Sequence, residues 1–376
     1  MPEITLQFVL FCIFSLSIII LLWYYLFYFA RVSFHKETPL SLGRGAGGEV
    51  PASVIICAKN EDHNLPEFLP IVLSQDYSEY EVIVVDDCSS DNTTDVLREF
   101  EKKYSHLKVI TIKEDLKHYH GKKFALMVGI KGATHEHLLL TDADCKPTSN
   151  QWLKKMMSEF SSEKEIVLGY SKYEKLPGLL NKLIRFDTFH IALQYLSFAM
   201  AGIPYMGVGR NLSYKRTLFF RHKGFSSINH IPGGDDDLFV NKAATKKNTA
   251  VVIDKDAATL SIPRRTWKSW LNQKNRHYST SKYYKPLHKL LLGLYSASQF
   301  LLYPLLLLAA LFYNWQIVLS VYGLRFLIQA FVYFFSMKKL NEKDLWPFFL
   351  FFDIWMFFYY IIFASALWKK TRRTWN

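Results

Sequence analysis

Cysteine is scarce: the 376 residues include four, Cys12, Cys57, Cys88 and Cys145. None makes a CxxC pair or a metal-ligand spacing, which excludes a disulfide scaffold and a thiolate zinc site. They read as small buried apolar residues of a reduced, cytosol-facing protein. Acidic residues are missing from Ala257 to Leu292, where Arg264, Arg265, Lys268, Lys274, Arg276, Lys282, Lys285 and Lys289 all fall. Charge of either sign is missing from Ile4 to Ala30. No internal repeat or long low-complexity tract is visible.

What is present in excess is apolar surface, with 50% hydrophobic and 16% aromatic residues. The uncharged run 4–30 can span a hydrocarbon core of about 30 Å. It is too long for a cleaved signal peptide and lacks a basic start, so it reads as a retained anchor. Three more apolar segments follow at about 288–313, 315–337 and 345–368. The net charge of +13 would suit nucleic acid. The basic residues instead gather beside an apolar run, where they mark the cytoplasmic side and anionic headgroups. No stacking motif accompanies them, so a nucleic-acid partner is excluded.

This organisation predicts an anchor (1–30), a linker (31–50) that is glycine-rich at Ser41–Gly48, a soluble domain (51–286) and a C-terminal membrane part (287–376) of two or three helices. Arg31, His35 and Lys36 place the soluble domain in the cytoplasm of a multi-pass cell-membrane protein. Three further spans would then leave Lys369, Lys370, Arg372 and Arg373 outside, against the positive-inside rule. One of the last three segments is therefore expected to be re-entrant or interfacial, and Asp353 points to the final one. Leu176 to Ala201 is apolar but interrupted by Lys182, Arg185 and Asp187. It reads either as an amphipathic helix at the membrane interface or as a core helix.

Within the soluble domain, Ser53–Cys57, Glu81–Val85, Leu107–Ile112 and His137–Thr141 are short continuous apolar runs of the kind buried parallel strands show. Helical stretches separate them at Asn64–Leu73, Thr94–Tyr104 and Lys122–Gly132. The alternation predicts an α/β fold with a mostly parallel sheet covered on both faces. Ligands in such folds bind at the carboxyl ends of the strands.

Three acidic clusters follow predicted elements. Thr141-Asp-Ala-Asp-Cys145 sets two carboxylates one residue apart at a strand end, where they can gather oxygen ligands around Mg²⁺ or Mn²⁺. Val85-Asp-Asp-Cys-Ser-Ser-Asp91 offers Asp86 and Asp87 to a base edge or a ribose hydroxyl, while Ser90 or Asp91 can cap the next helix. Gly233-Gly-Asp-Asp-Asp-Leu238 sets three like charges in a row, an arrangement that needs solvent, metal or a paired cation.

In this order the clusters resemble the family 2 glycosyltransferases and their GT-A fold, from about Pro51 to about Tyr278. Ala52 to Glu61 resembles the family's opening strand and loop, which implies that Ala58, Asn60 and Glu61 approach the donor's uracil. Asp86 and Asp87 match its second nucleotide-binding motif, and Gly121-Lys-Lys-Phe-Ala-Leu126 resembles the segment whose lysine, here Lys122, faces the donor. Asp142, Ala143 and Asp144 match the metal and diphosphate site. Gly207 to Ser213 is similar to the acceptor-side segment, which implies roles for Gly209, Arg210 and Asn211.

Two departures stand out. The family often has Glu-Asp-x-Asp-Leu where this chain has Gly234-Asp-Asp-Asp-Leu238; alignment on the leucine gives Asp235 the catalytic-base position, with Asp236 the alternative. Many membrane synthases of the family carry Gln-x-x-Arg-Trp, and here Gln273-Lys-Asn-Arg-His277 replaces the tryptophan. That histidine weighs against a processive polysaccharide synthase and leaves Gln273 and Arg276 to reach the diphosphate. The resemblance implies an inverting, metal-dependent, hexosyl-type transfer from a nucleotide-sugar, a UDP-sugar favoured, to a lipid-linked or envelope glycan acceptor. The alternatives are a processive polysaccharide synthase and an inactive donor-binding scaffold.

Overall fold

The computed structural model describes residues 6–36, 49–113 and 121–364. The linker at Ser41–Gly48 and the basic cluster Lys369–Arg373 lie outside the described residues. The soluble part is built as the apolar runs predict, from β1 (Ala52–Ala58), α3 (Leu65–Leu73), β2 (Tyr80–Asp87), α4 (Thr93–Lys103), β3 (Leu107–Ile112), α5 (Lys122–Gly132) and β4 (His137–Asp142). All seven residues of β1 are buried, as a strand covered on both faces requires. Strands run parallel in the order β3-β2-β1-β4, so each connection must cross over through a helix. Gly129 lets α5 lie close to the sheet: a Cβ there would stand 2.7 Å from Ile55 Cγ2.

The second half was not legible in the same way. β5 (Cys145–Pro147), α6 (Trp152–Met157), β6 (Ile166–Gly169), β7 (Ser171–Tyr173), α7 (Leu179–Met200), β8 (Leu212–Lys215), α8 (Arg216–Arg221), α9 (Asp237–Ala243), β9 (Thr249–Val252), β10 (Thr259–Ser261) and α10 (Trp267–Tyr278) follow. β8 inserts antiparallel between β4 and β6, and β9 closes the seven-stranded sheet. A small second sheet, β5-β10-β7, stands beside the carboxyl end of β4.

At the N-terminus α1 (Leu6–Trp23) passes through a π-helical turn (Tyr24–Phe29) into α2 (Ala30–Ser33). After α10 come α11 (Pro286–Phe312), α12 (Trp315–Lys339), and a 3₁₀ turn (Lys343–Phe348) that leads into α13 (Phe349–Ala364). Among the described residues, four helices, Leu6–Ser33, Pro286–Phe312, Trp315–Lys339 and Lys343–Phe363, are long and apolar enough to cross a membrane. Polar contacts hold the N-terminal rod to the later ones: Tyr24 donates to the Leu291 carbonyl at 2.6 Å and Ser33 to the Val332 carbonyl at 2.9 Å. The four cysteines are free, with Cys57 and Cys145 buried and Cys88 half-buried. Cys12 departs from the expectation of burial, because it lies on the outer side of α1.

α7 proves to be a core helix. Two of the charges that interrupt its apolar run, Arg185 and Asp187, are buried and paired with residues far away in the chain, while Lys182 is half-buried over the Phe348 ring. Arg185 Nε donates to Glu342 at 2.9 Å, and its Nη2 reaches Asp344 at 2.8 Å. Asp187 accepts from Lys274 at 2.9 Å and from the Tyr359 hydroxyl at 2.6 Å. Arg185 is 3% and Glu342 1% exposed, so removing one partner strands a charge out of water. Glu342→Ala is expected to destabilise the detergent-solubilised protein by about 3–5 kcal/mol. Chemical denaturation checks this, and an unchanged midpoint would show the pair to be dispensable.

Candidate active site

Backbone geometry brings the carboxylates together. The parallel register sets Cys57 beside Asp142, so β1 and β4 end at the same level. Asp142 and Asp144 flank Ala143 just past β4, and ligand atoms of Asp142, Asp144 and Cys145 all lie within 4.8 Å of one another. Burial, then the neighbouring Asp142, raises the Asp144 carboxyl above the ordinary range. Two acids held this close favour a bound cation over mutual repulsion. The Cys145 thiol is an unsuitable ligand: burial keeps it protonated, and it already contacts Asp144 and, at 2.7 Å, Ser261. The two carboxylates, hard oxygen donors, fit Mg²⁺ or Mn²⁺.

Lys122, on the first turn of α5, joins two of the clusters. Its ammonium is hydrogen-bonded to Asp142 and stands 3.7 Å from Asp235. Burial alone would lower its pKa; Asp142 and Asp235 prevail and hold it well above the ordinary value. The Gly233-Gly234 turn positions Asp235, and both glycines adopt positive φ, +75° and +84°. A Cβ on Gly234 would meet Leu238 Cδ1 at 2.5 Å, so the glycine where the family often has glutamate belongs to this local backbone.

The three successive aspartates have separate partners. Asp236 caps α9 by accepting from the Asp237 amide at 2.7 Å, and it also accepts from the Gly209 amide at 2.8 Å. Burial, with Asp235 and Asp237 beside it, pushes Asp236 up to about 7. Asp237 accepts from the Thr280 and Tyr284 hydroxyls. Asp235 has a cation near it and lines the cavity.

One cavity of ≈ 1230 Å³ contains most of the predicted site residues: Glu61, Lys122, Asp142, Ala143, Asp144, Gly209, Arg210, Asp235, Asp236, Gln273 and Arg276 all line it. Glu61 is pushed up to about 7, mainly by burial. Arg210 stacks on the Tyr173 ring at 4.5 Å and donates to Ser261 at 3.0 Å. Gln273 reaches the Tyr173 hydroxyl at 3.4 Å. His277 also lines the cavity; burial, then Arg276, holds its imidazole well below the ordinary value and therefore neutral.

Five predicted residues do not line this cavity. Ala58 is buried at the end of β1. Asn60 is exposed, adopts φ 56° and accepts from the Ser90 amide at 2.8 Å. Asp86 is buried and accepts from the Ser89 amide at 3.1 Å and the Thr94 hydroxyl at 2.6 Å, and Asp87 is buried at the end of β2. Asn211, expected on the acceptor side, is fully buried, with its amide bonded to Trp152, Tyr170 and Ala257. It ties the sheet to α6 instead. Asp91 does serve the start of α4, accepting from the Thr93 amide at 3.0 Å, while Ser90 bonds Asn60. No residue pattern signals Tyr173, whose strand is three residues long, or the apolar wall of the cavity.

A seven-stranded, mostly parallel sheet whose carboxyl edge carries paired aspartates is a GT-A-like fold. Residues 53–222 match the family model Glycosyl transferase family 2. The glycosyltransferase AglE of Haloferax volcanii is 32% identical over 197 residues, covering 51% of this chain and 60% of AglE. A poly-beta-1,6-N-acetyl-D-glucosamine synthase of Staphylococcus epidermidis is 38% identical over 92 residues, 24% of this chain and 21% of the synthase. The chain thus spans less than two thirds of the length of these curated relatives. Among solved structures, the mannosyltransferase PcManGT of Pyrobaculum calidifontis, in complex with GDP-Man and Mn²⁺, superposes with TM-score 0.58 at 18% identity. It covers 93% of this chain and 99% of its own, a likeness of fold.

Proposed function

We propose that this chain transfers a sugar from a nucleotide-diphosphate sugar to an acceptor carried on a membrane lipid, by an inverting single displacement. One observation carries the reading. The cavity that contains Asp142, Asp144 and Asp235 continues between membrane-side helices, past Ile191 of α7, Leu292, Ala297 and Phe300 of α11, and Met356 of α13. Polar chemistry at one end and an apolar wall at the other suit an acceptor with a charged head and a hydrocarbon tail.

Asp142 and Asp144 hold a divalent cation, Mn²⁺ or Mg²⁺, which when bound neutralises charge building on the departing diphosphate. The GDP-Man and Mn²⁺ of the solved mannosyltransferase support a metal and widen the donor panel beyond UDP-sugars. Asp235 takes the proton of the incoming hydroxyl. Lys122 neutralises Asp142 and Asp235 where they face each other and offers its ammonium to donor phosphate. Arg276 and Gln273 reach the leaving diphosphate, where a guanidinium suits bidentate contact. Arg210, held by Tyr173 and Ser261, faces the acceptor side. The catalytic domain faces the cytoplasm, where Arg31 and the basic stretch before α11 meet anionic headgroups.

The test is a donor panel of UDP- and GDP-sugars with Mn²⁺ on the detergent-solubilised protein, with nucleotide release as the readout. Release with one donor is expected to rise at least tenfold when membrane lipid extract is supplied, and not with water-soluble glycans. Equal stimulation by a soluble glycan would overturn the lipid acceptor, and no release with any donor would overturn the transferase reading.

A further inference from the structure

Composition makes the last long helix a membrane span, yet both of its ends rest on the catalytic domain. At its start, Asp344 accepts from Lys175 at 2.6 Å and from Arg185 at 2.8 Å. At its end, the Phe363 ring lies 5.9 Å from Trp270 and 5.6 Å from Tyr278, both on α10. Between them Phe352 stacks on Phe186 at 4.2 Å and Tyr359 bonds Asp187, two residues of α7. Sixteen residues of helix extend about 24 Å. A helix crossing the bilayer would take one end that far from the domain.

The contacts with α11 give the direction of travel. α11 starts at the domain, where His288 Nδ1 meets Asn241 at 2.9 Å. Asp353 accepts from Tyr303, deep along α11, at 2.8 Å. One turn later Phe357 stacks on Phe300, three residues nearer the domain. α13 therefore turns back toward the domain as it proceeds. Arg325 of α12 holds Asp353 there by donating to both of its oxygens, at 2.7 and 2.9 Å.

We propose that α13 does not cross the bilayer but re-enters the leaflet on the catalytic domain's side, deepest near Asp353 and rising from there toward the domain. Its buried face is Phe352, Asp353, Met356, Tyr359 and Phe363. Its opposite face exposes Leu350, Ile354, Phe358, Ile361 and Ile362, a single apolar stripe with no charge. α11 and α12 also expose apolar side chains, among them Leu301, Leu308, Leu324 and Leu327, so the occupant of the stripe is the lipid of the near leaflet. Lys338, Lys339 and Lys343, just before the helix, meet anionic headgroups. The described residues then cross three times, and a chain that returns to the domain's side puts Lys369, Lys370, Arg372 and Arg373 on the same side as Arg31, which removes the conflict with the positive-inside rule. Met356 and Tyr360 of this helix line the catalytic cavity, which sets its apolar wall within the near leaflet.

Cleavable epitope tags in the Ser41–Gly48 linker, in the turn at Tyr313–Asn314, and after Asn376 test this in sealed membrane vesicles. Protease is expected to remove the linker and C-terminal tags together, with the turn tag protected until detergent is added. A C-terminal tag protected with the turn tag would make α13 a span and end the proposal. If the domain faced the other side, the linker and C-terminal tags would switch together, overturning the cytoplasmic assignment and leaving this inference standing. A second reading needs no tag: nitroxides at Phe351, Phe358 and Ile362 are expected to lie in the near leaflet, with Ile362 the shallowest. A crossing helix would instead carry Ile362 about 16 Å deeper than Phe351.

Discussion

Asp235→Asn is expected to bind its nucleotide-sugar donor within a few-fold of the parent protein and to lose transfer by about 10²–10⁴-fold, the usual contribution of a positioned general base. The neighbouring aspartates make the prediction specific. Asp236 spends both oxygens on backbone amides, of Asp237 and Gly209, and Asp237 is engaged by two hydroxyls. Neither can accept a proton without giving up a bond that shapes the loop. Asp235 has Lys122 3.7 Å away and open cavity before it. An amide in its place keeps size and hydrogen bonding but cannot take the proton. The companion variant Asp236→Asn should instead weaken the start of α9 and the Gly209 contact, so its loss should appear in stability as well as rate. Donor titration with single-turnover transfer separates the two. Retained transfer by Asp235→Asn would move the base to another group.

The first half of the domain was legible because its physics is local. Buried parallel strands are unbroken apolar runs, and the helices between them have clear starts, so α5 falls at Lys122–Gly132 as the pattern predicts. The acidic groups were legible because charge at strand ends has few structural uses. The rest depended on partners remote in sequence. Arg185 looks like an interruption of an apolar helix until Glu342, 157 residues later, is seen beside it. Asn211 sits inside a motif-like segment, but its burial depends on Trp152, Tyr170 and Ala257, which no spacing reveals. β5, β7 and β10 are three residues each, too short to carry a periodicity, yet β7 supplies Tyr173 to the cavity and β10 the Ser261 that holds Arg210.

Asp144→Ala is expected to remove the effect of Mn²⁺ on donor binding, a loss on the order of 10²–10³-fold in affinity if the cation supplies several kcal/mol. Asp144 is the cleaner probe of the pair. Asp142 both faces the cation position and holds Lys122, so removing it also frees an ammonium beside Asp235. Asp144 contacts the Cys145 thiol and has no ion pair at that distance among the described residues, and its carboxyl is disfavoured as an anion by burial and by Asp142. A side chain held in that state gains most when a dication arrives, and its removal relieves repulsion in the cation-free protein. The folded state should therefore survive Asp144→Ala, while calorimetric titration of a nucleotide-sugar shows the same affinity with Mn²⁺ as with chelator. Asp142→Asn completes the argument, because an amide oxygen still accepts from Lys122 but carries no charge for the metal. Parent protein whose donor affinity ignores Mn²⁺, or an Asp144→Ala protein that still responds to it, would place the cation elsewhere or remove it from the mechanism.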